Sequence, residues 1–199
     1  MNTNHPSLST RPFNPPAVTQ EPAALWSYFF TLCRIPRASG HTEALQRWLV
    51  DFAAEYGLEC RQDKVGNVLI RKPASKGRET SPAVVLQAHM DMVCEKNADT
   101  THDFNTDPIQ LVVDGEWLKA KGTTLGADNG IGMAAQLAVL ADKTLEHGPV
   151  ECLFTVDEET GLSGAFGLEP GFFEGRTLIN LDSEDDGELF IGCAGGMNS

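Results

Sequence analysis

Val84-Val85-Leu86-Gln87-Ala88-His89-Met90-Asp91 is an apolar run that ends abruptly in a histidine and an aspartate two residues apart. A run this short, introduced by Pro82 and closed by polar residues, reads as a buried strand. Side chains alternate along an extended segment, so His89 and Asp91 face the same way at the strand's end. In open α/β sheets, ligands bind at the carboxyl ends of strands. Two more apolar runs end in the same manner. Residues 150–156 stop at Asp157-Glu158-Glu159, and residues 177–181 stop at Asp182.

Working outward, the spacing of Leu25, Trp26, Phe29 and Phe30 predicts a helix over 23–32, ended by Ile35-Pro36. A second helix is predicted over 41–56, with Leu45, Trp48, Leu49, Phe52, Ala53 and Tyr56 on one face and Gly57 as its stop. Strands follow at 58–61 and 65–71. A long polar segment covers 95–108, and segments of that length inside a compact domain are often functional. Asp114-Gly115 suits the tight turn of a hairpin between 109–113 and 116–120. A glycine-containing loop then opens a helix near Asp128 that runs to Ala141, and residues 188–193 form a possible last strand. Residues 1–21, with Pro6, Pro12, Pro15 and Pro16 among polar neighbours, read as a poorly ordered lead-in. Strands alternating with helices argue an α/β sheet with helices packed on its faces.

The bulk properties narrow the function classes. Fifteen basic against 28 acidic residues give a net charge of −13, which argues against nucleic acid as a partner. No apolar run approaches the ~20 residues that span a bilayer, so no membrane role is read. Five cysteines, scattered and without a Cys-x-x-Cys pair, read as free thiols in a reducing compartment. With no basic cluster followed by an apolar core at the N-terminus, the expected location is the cytoplasm.

Taken singly, each polar strand end has an ordinary explanation. A lone histidine is more often a hydrogen-bonded structural residue, Asp128 could cap its helix, and acidic turns are usually solvated. Taken together they point elsewhere. Buried sheet ends rarely collect several carboxylates, because like charges oppose one another's ionisation unless a cation lies between them. Histidine with several carboxylates suits zinc, cobalt or manganese, and two ions sharing a carboxylate make a hydrolytic centre. Asp128 is the natural bridge. Adjacent Glu158 and Glu159 point different ways, so one can bind metal while the other acts as general base. A rival reading is a dinucleotide-binding turn at Gly130-Ile131-Gly132-Met133-Ala134-Ala135, with Glu151 about twenty residues on. No predicted strand runs directly into Gly130, as that motif requires. The glycines fit better as sites of close helix packing beside Asp128.

The phrases His89-Met90-Asp91, Gly126-Ala127-Asp128-Asn129-Gly130, Asp157-Glu158-Glu159 and Leu181-Asp182-Ser183-Glu184 resemble the co-catalytic zinc metallopeptidases. That family includes carboxypeptidase G, acetylornithine deacetylase and the aminoacyl-histidine dipeptidases. Asp107-Pro108-Ile109-Gln110, the run from Gly122 to Met133 and Gly192-Cys193-Ala194-Gly195-Gly196 narrow the resemblance to the aminoacyl-histidine (Xaa-His) dipeptidase branch. The likeness covers nearly everything from Pro22 onward.

The resemblance implies a mixed, largely parallel twisted sheet with helices on both faces. It implies that His89 and Asp182 bind one of two Zn2+ ions, that Asp128 bridges, and that Glu159 binds the second, with Co2+ or Mn2+ as substitutes. Glu158 would then be the general base acting on a metal-bridging water, and Asp91 would orient His89 through its other ring nitrogen. Substrates in this branch are unblocked dipeptides, including β-alanyl-histidine. The family completes its second zinc with a histidine near the end of a much longer chain, and inserts a lid or dimerisation domain after the Ala-Gly-Gly phrase. His102 and His147 do not match that late position. The resemblance therefore implies that residues 22–199 are the N-terminal part of a catalytic domain whose full-length parent is a homodimer, and that this part is inactive alone. A non-catalytic metal-binding module is the alternative, followed by a related aminoacylase or deacetylase.

Overall fold

A computed structural model describes residues 5–17, 20–183, 185 and 187–192. Two helices come first, α1 (Ala23–Leu32) and α2 (Glu43–Tyr56). α2 ends where Gly57 adopts a left-handed conformation at φ 66°, which costs glycine no side-chain clash. Antiparallel β1 (Glu59–Gln62) and β2 (Val68–Lys72) follow, then β3 (Val84–His89). The hairpin of β4 (Leu111–Asp114) and β5 (Trp117–Ala120) forms a separate two-stranded sheet, turning at Gly115 as the Asp-Gly pair predicts. α3 (Ala127–Ala141), β6 (Val150–Thr155), the short α4 (Ser163–Phe166) and β7 (Thr177–Asn180) complete the order.

The main sheet has the order β1-β2-β6-β3-β7. β6 runs antiparallel to β2 but parallel to β3, and β7 is also parallel to β3, so the sheet is mixed. Its centre is β6, buried at all six positions, which is why Val150, Cys152, Leu153 and Phe154 put apolar side chains on both faces rather than on one. α1, α2 and α3 supply the large core. There Phe29, Leu32, Leu45, Leu49, Phe52, Met133 and Leu137 meet Val68, Ile70, Ala88, Cys152 and Phe154 of the sheet. Burying each Leu or Phe of this set stabilises the fold by about 1.5–3 kcal/mol. The opposite face is thinly covered: Leu69, Val85 and Leu153 pack under Phe172, with Leu168 and Phe173 beside it. That cover comes from the chain just after α4.

Gly130 explains how α3 approaches α1. A Cβ there would stand 2.9 Å from Arg37 Nη2 and 3.1 Å from Phe29 Cε2, so glycine allows the close packing expected of this motif. The dinucleotide reading fails on the same ground as in the sequence. The strand before Gly130 is β5, which ends at Ala120 in the separate hairpin. Glu151 is also committed elsewhere, since its carboxylate pairs with Arg71 and accepts from the Glu174 and Gly175 amides.

Two expectations need correction. The lead-in is held to the core in its described part: Leu8 is buried, Ser9 N–H donates to Arg34 O at 2.8 Å, and Ser9 Oγ donates to Thr106 O at 2.5 Å. Proline-rich composition hid this, because the anchoring groups are one leucine and one serine. The possible strand at 188–193 is not a strand over 188–192, where Leu189 and Ile191 are almost fully exposed; Cys193 lies outside the described residues. The rest of the Ala-Gly-Gly phrase, Glu184 and residues 1–4 lie outside them as well. The four described cysteines, Cys33, Cys60, Cys94 and Cys152, are free thiols. No described helix is long and apolar enough to cross a membrane.

Candidate metal centre

Register explains why three separated stretches meet. His89 is level with Thr155 of β6, and Gln87 is level with Asn180 of β7. Two residues beyond those pairs, along strands pointing the same way, come Asp91, Asp157 and Asp182. The amides of Met90 and Leu181 extend the pairing past the strand ends, donating to Thr155 O at 2.7 Å and Gln87 O at 2.8 Å. Asp128 arrives from the start of α3, where Gly126 caps in the left-handed region and Asp128 itself has extended, non-helical angles. The helix-cap reading of Asp128 thereby lapses, since the N-cap position is taken by Gly126 and the Asp128 side chain turns toward the sheet end instead.

His89 sits at the middle of the cluster and is buried. Its Nε2 lies 2.8 Å from Asp128 Oδ1, 3.8 Å from Asp182 Oδ1 and 4.0 Å from Glu158 Oε2. Its Nδ1 is held from behind by Asp91, 3.0 Å from the backbone oxygen and 3.3 Å from Oδ1. Two groups of candidate donor atoms result, His89 with Asp128 and Asp182, and His89 with Glu158 and Glu159, each with its atoms within 4.8 Å of one another. All four carboxylates line one open cleft of about 680 Å³, together with Asn129, Gly132 and Ser183. His102 and His147 belong elsewhere. His102 packs its ring against Phe104, and His147 Nδ1 meets Gly148 O at 2.7 Å.

The electrostatics are those of an uncompensated cluster. Burial and the neighbouring Asp128 and Glu158 raise the Asp182 carboxyl to about 6, although His89 pulls the other way. Burial and Asp128 raise Glu159 as well. His89 is driven down by burial but more strongly up by its bonds to Asp91 and Asp128 and by Asp182, reaching about 9. Asp91 moves in the opposite direction. Burial alone would raise it, yet His89, the Ser39 hydroxyl and the Glu158 amide together hold it at about 2. Carboxylates pushed toward neutrality around a histidine, in an open cleft, are what a divalent cation would relieve. The donors present, one imidazole nitrogen and four carboxylates, suit zinc, cobalt or manganese.

Asp91 does more than orient an imidazole. Its Oδ1 accepts from Glu158 N–H at 3.0 Å, and its Oδ2 accepts from Glu159 N–H at 3.3 Å and from Ser39 Oγ at 2.7 Å. One buried carboxylate thus ties the histidine to the bend carrying both glutamates. The bend has a second anchor in Asn67, which is fully buried. Its Oδ1 accepts from Val156 N–H and its Nδ2 donates to Gly164 O, clamping β6's exit to α4. Sequence reasoning missed Asn67, Ser39 and Arg37, because a single polar residue in a loop carries no periodic signal.

The model of the peptidase family M20/M25/M40 matches residues 85–193. Over 177 residues the chain is 56% identical to the cytosol non-specific dipeptidase of Escherichia coli K12, covering 89% of this chain and 36% of that protein. The crystal structure of aminoacylhistidine dipeptidase from Vibrio alginolyticus superimposes with a TM-score of 0.86 at 58% identity, over 88% of this chain and 36% of that one. A Staphylococcus aureus tripeptidase shares the fold, with a TM-score of 0.69 at 24% identity over 82% of this chain and 44% of that one. The chain spans little more than a third of the two dipeptidases it matches. With the family match spanning more than half of its residues, all three donor-bearing strand ends among them, this chain belongs to the peptidase family M20/M25/M40.

Proposed function

We propose that this chain carries the metal-binding part of a metal-dependent dipeptidase that hydrolyses unblocked dipeptides, Xaa-His and β-alanyl-histidine among them, in the cytosol. The observation behind this reading is the convergence of His89 Nε2 with the carboxylates of Asp128, Asp182 and Glu158 at the carboxyl ends of parallel strands. In the proposed assignment, His89 and Asp182 hold one zinc ion, Asp128 is shared, and Glu159 serves the second, with cobalt or manganese able to replace zinc. When bound, the two ions supply Lewis acidity for the scissile carbonyl and make water easier to deprotonate.

The chain's own residues do the rest. Glu158 is the proton carrier: its carboxylate takes a proton from the attacking water and returns it to the leaving amine. Its side chain is a third exposed and borders the cleft, so it can reach both substrate and solvent. Asp91 holds Nδ1 of His89, which leaves Nε2 as the donor facing the cleft.

The test separates binding from chemistry. The chain should take up zinc or cobalt, read by calorimetry, and Glu158→Gln should keep that uptake to within a few-fold. In the complete gene product the same substitution should lower dipeptide hydrolysis by at least about 10²-fold, the scale of a lost general base. Unchanged hydrolysis in the variant would remove Glu158 from its role. Metal uptake with no hydrolysis in the unaltered complete protein would favour a non-catalytic binding module.

A further inference from the structure

Three of the four donor-bearing stretches are joined by a further one that contributes no donor. Residues 37–40 lie between α1 and α2 and run beside the end of β3, where Ala38 bridges Met92 and Met92 N–H donates to Arg37 O at 3.1 Å. Arg37 is the only buried arginine or lysine among the described residues. Its Nη1 donates to Met90 O at 3.0 Å and Asp91 O at 3.1 Å, and its Nη2 donates to Gly126 O. A single guanidinium therefore pins the chain after His89 to the chain before Asp128. Two positions on, Ser39 Oγ donates to Asp91 Oδ2 at 2.7 Å, and the next residue, Gly40, donates its N–H to Asp157 Oδ1 at 2.6 Å.

Each contact falls one to three residues from a proposed donor, and every donor-bearing stretch but that of Asp182 is reached. The fit at Gly126 is tight: a Cβ there would lie 2.5 Å from Arg37 Nη2 and 2.7 Å from Met92 Sδ. Buried arginines are costly unless their donors are satisfied, and here the partners are backbone carbonyls rather than one carboxylate. Such an arrangement fixes backbone positions more than it neutralises charge.

We propose that residues 37–40 are the positioning strap of the metal centre, with Arg37 and Ser39 setting how tightly and with what geometry the donors grip a divalent cation. The proposal rests on the metal-centre reading above. Arg37's planar fork reaches three carbonyls on two strands of chain, which a lysine ammonium on a flexible stem cannot reproduce. Ser39 acts through Asp91, which in turn holds His89 and the two glutamate amides. Groups behind a metal ligand typically change affinity 10–100-fold when removed.

The experiment is Co2+ titration of the whole chain, followed by visible absorption and calorimetry, for the unaltered protein and for Arg37→Lys, Ser39→Ala and Ser39→Thr. Circular dichroism and the unfolding midpoint serve as controls. Ser39→Ala should weaken Co2+ binding by about 10-fold and shift the cobalt absorption bands, with only the modest fall in the metal-free unfolding midpoint that losing one hydrogen bond to a buried carboxylate brings; Ser39→Thr, which keeps the hydroxyl, should restore affinity and bands. Arg37→Lys should weaken binding by at least as much. Should Arg37→Lys fail to fold, the Ala and Thr pair at Ser39 decides. Unaltered affinity and spectrum in Ser39→Ala would overturn the strap. No Co2+ uptake by the unaltered chain would instead overturn the metal-centre reading on which it stands.

Discussion

At the scale of single residues, Asp91 carries the heaviest load of contacts at the centre. Its carboxylate is buried, accepts three hydrogen bonds and faces His89 Nδ1. Its folded-state pKa lies at about 2, below the ordinary 3.8, so it contributes stability that is complete above pH 4 and is lost as pH falls through 2. Asp91→Asn keeps the shape but sets an amide N–H against groups that are themselves donors. It should destabilise the metal-free chain by about 3 kcal/mol at pH 7, the scale of breaking a buried charged pair. The gap between unaltered and variant unfolding free energies, measured in denaturant at successive pH values, should narrow between pH 4 and pH 2. A constant gap would show that the charge is not what stabilises. His89, Asp91 and the acidic strand ends were legible in the sequence because apolar runs that stop in charged residues stand out. Arg37 was not, because its role depends on three carbonyls that are distant in sequence until the fold brings them together.

At the scale of elements, the stretch from β6 to α4 shows how a bend is held in place. Asp157 adopts a left-handed backbone at φ 49°, and Gly164 N–H returns to Val156 O at 3.2 Å. A Cβ on Gly164 would press into the Val156 carbonyl oxygen and stand 2.7 Å from Asn67 Oδ1. Gly164→Ala should therefore lower stability by about 2–4 kcal/mol, as forced displacement in a packed interior does, and disturb Glu158 and Glu159 with it. Gly57→Ala is the control: its φ of 66° strains alanine, but nothing lies within 4 Å, so about 1 kcal/mol is expected. Chemical denaturation of both variants checks the ranking, and equal losses would refute the clash. The long elements α1, α2, β3 and β6 could be read from periodicity and apolar runs. α4 could not, since a four-residue helix whose only buried residue is a glycine leaves no pattern in hydrophobicity.

At the scale of the whole molecule, β7 stands out as an edge. It pairs with β3 on one side, all four of its residues are exposed, and Leu178 and Ile179 each keep almost half of their surface open. Leu189 and Ile191 add nearly bare aliphatic side chains a few residues on. An exposed apolar edge is a template for pairing with another chain. The chain should therefore self-associate as concentration rises, and Ile179→Lys should shift it toward monomer with a stability change within about 0.5 kcal/mol. Sedimentation velocity over a concentration series tests this, and association that is unchanged in the variant would move the contact elsewhere. Strand order is the feature that hydrophobic patterning could least convey: successive strands β2 and β3 are not neighbours, because β6 lies between them. During synthesis, the first half of the sheet must emerge with a vacant central slot. His89 cannot meet Glu158 and Glu159 until a segment made some sixty residues later threads into that slot, so the ribosome delivers the proposed metal-binding histidine well before the protein can assemble the cluster around it.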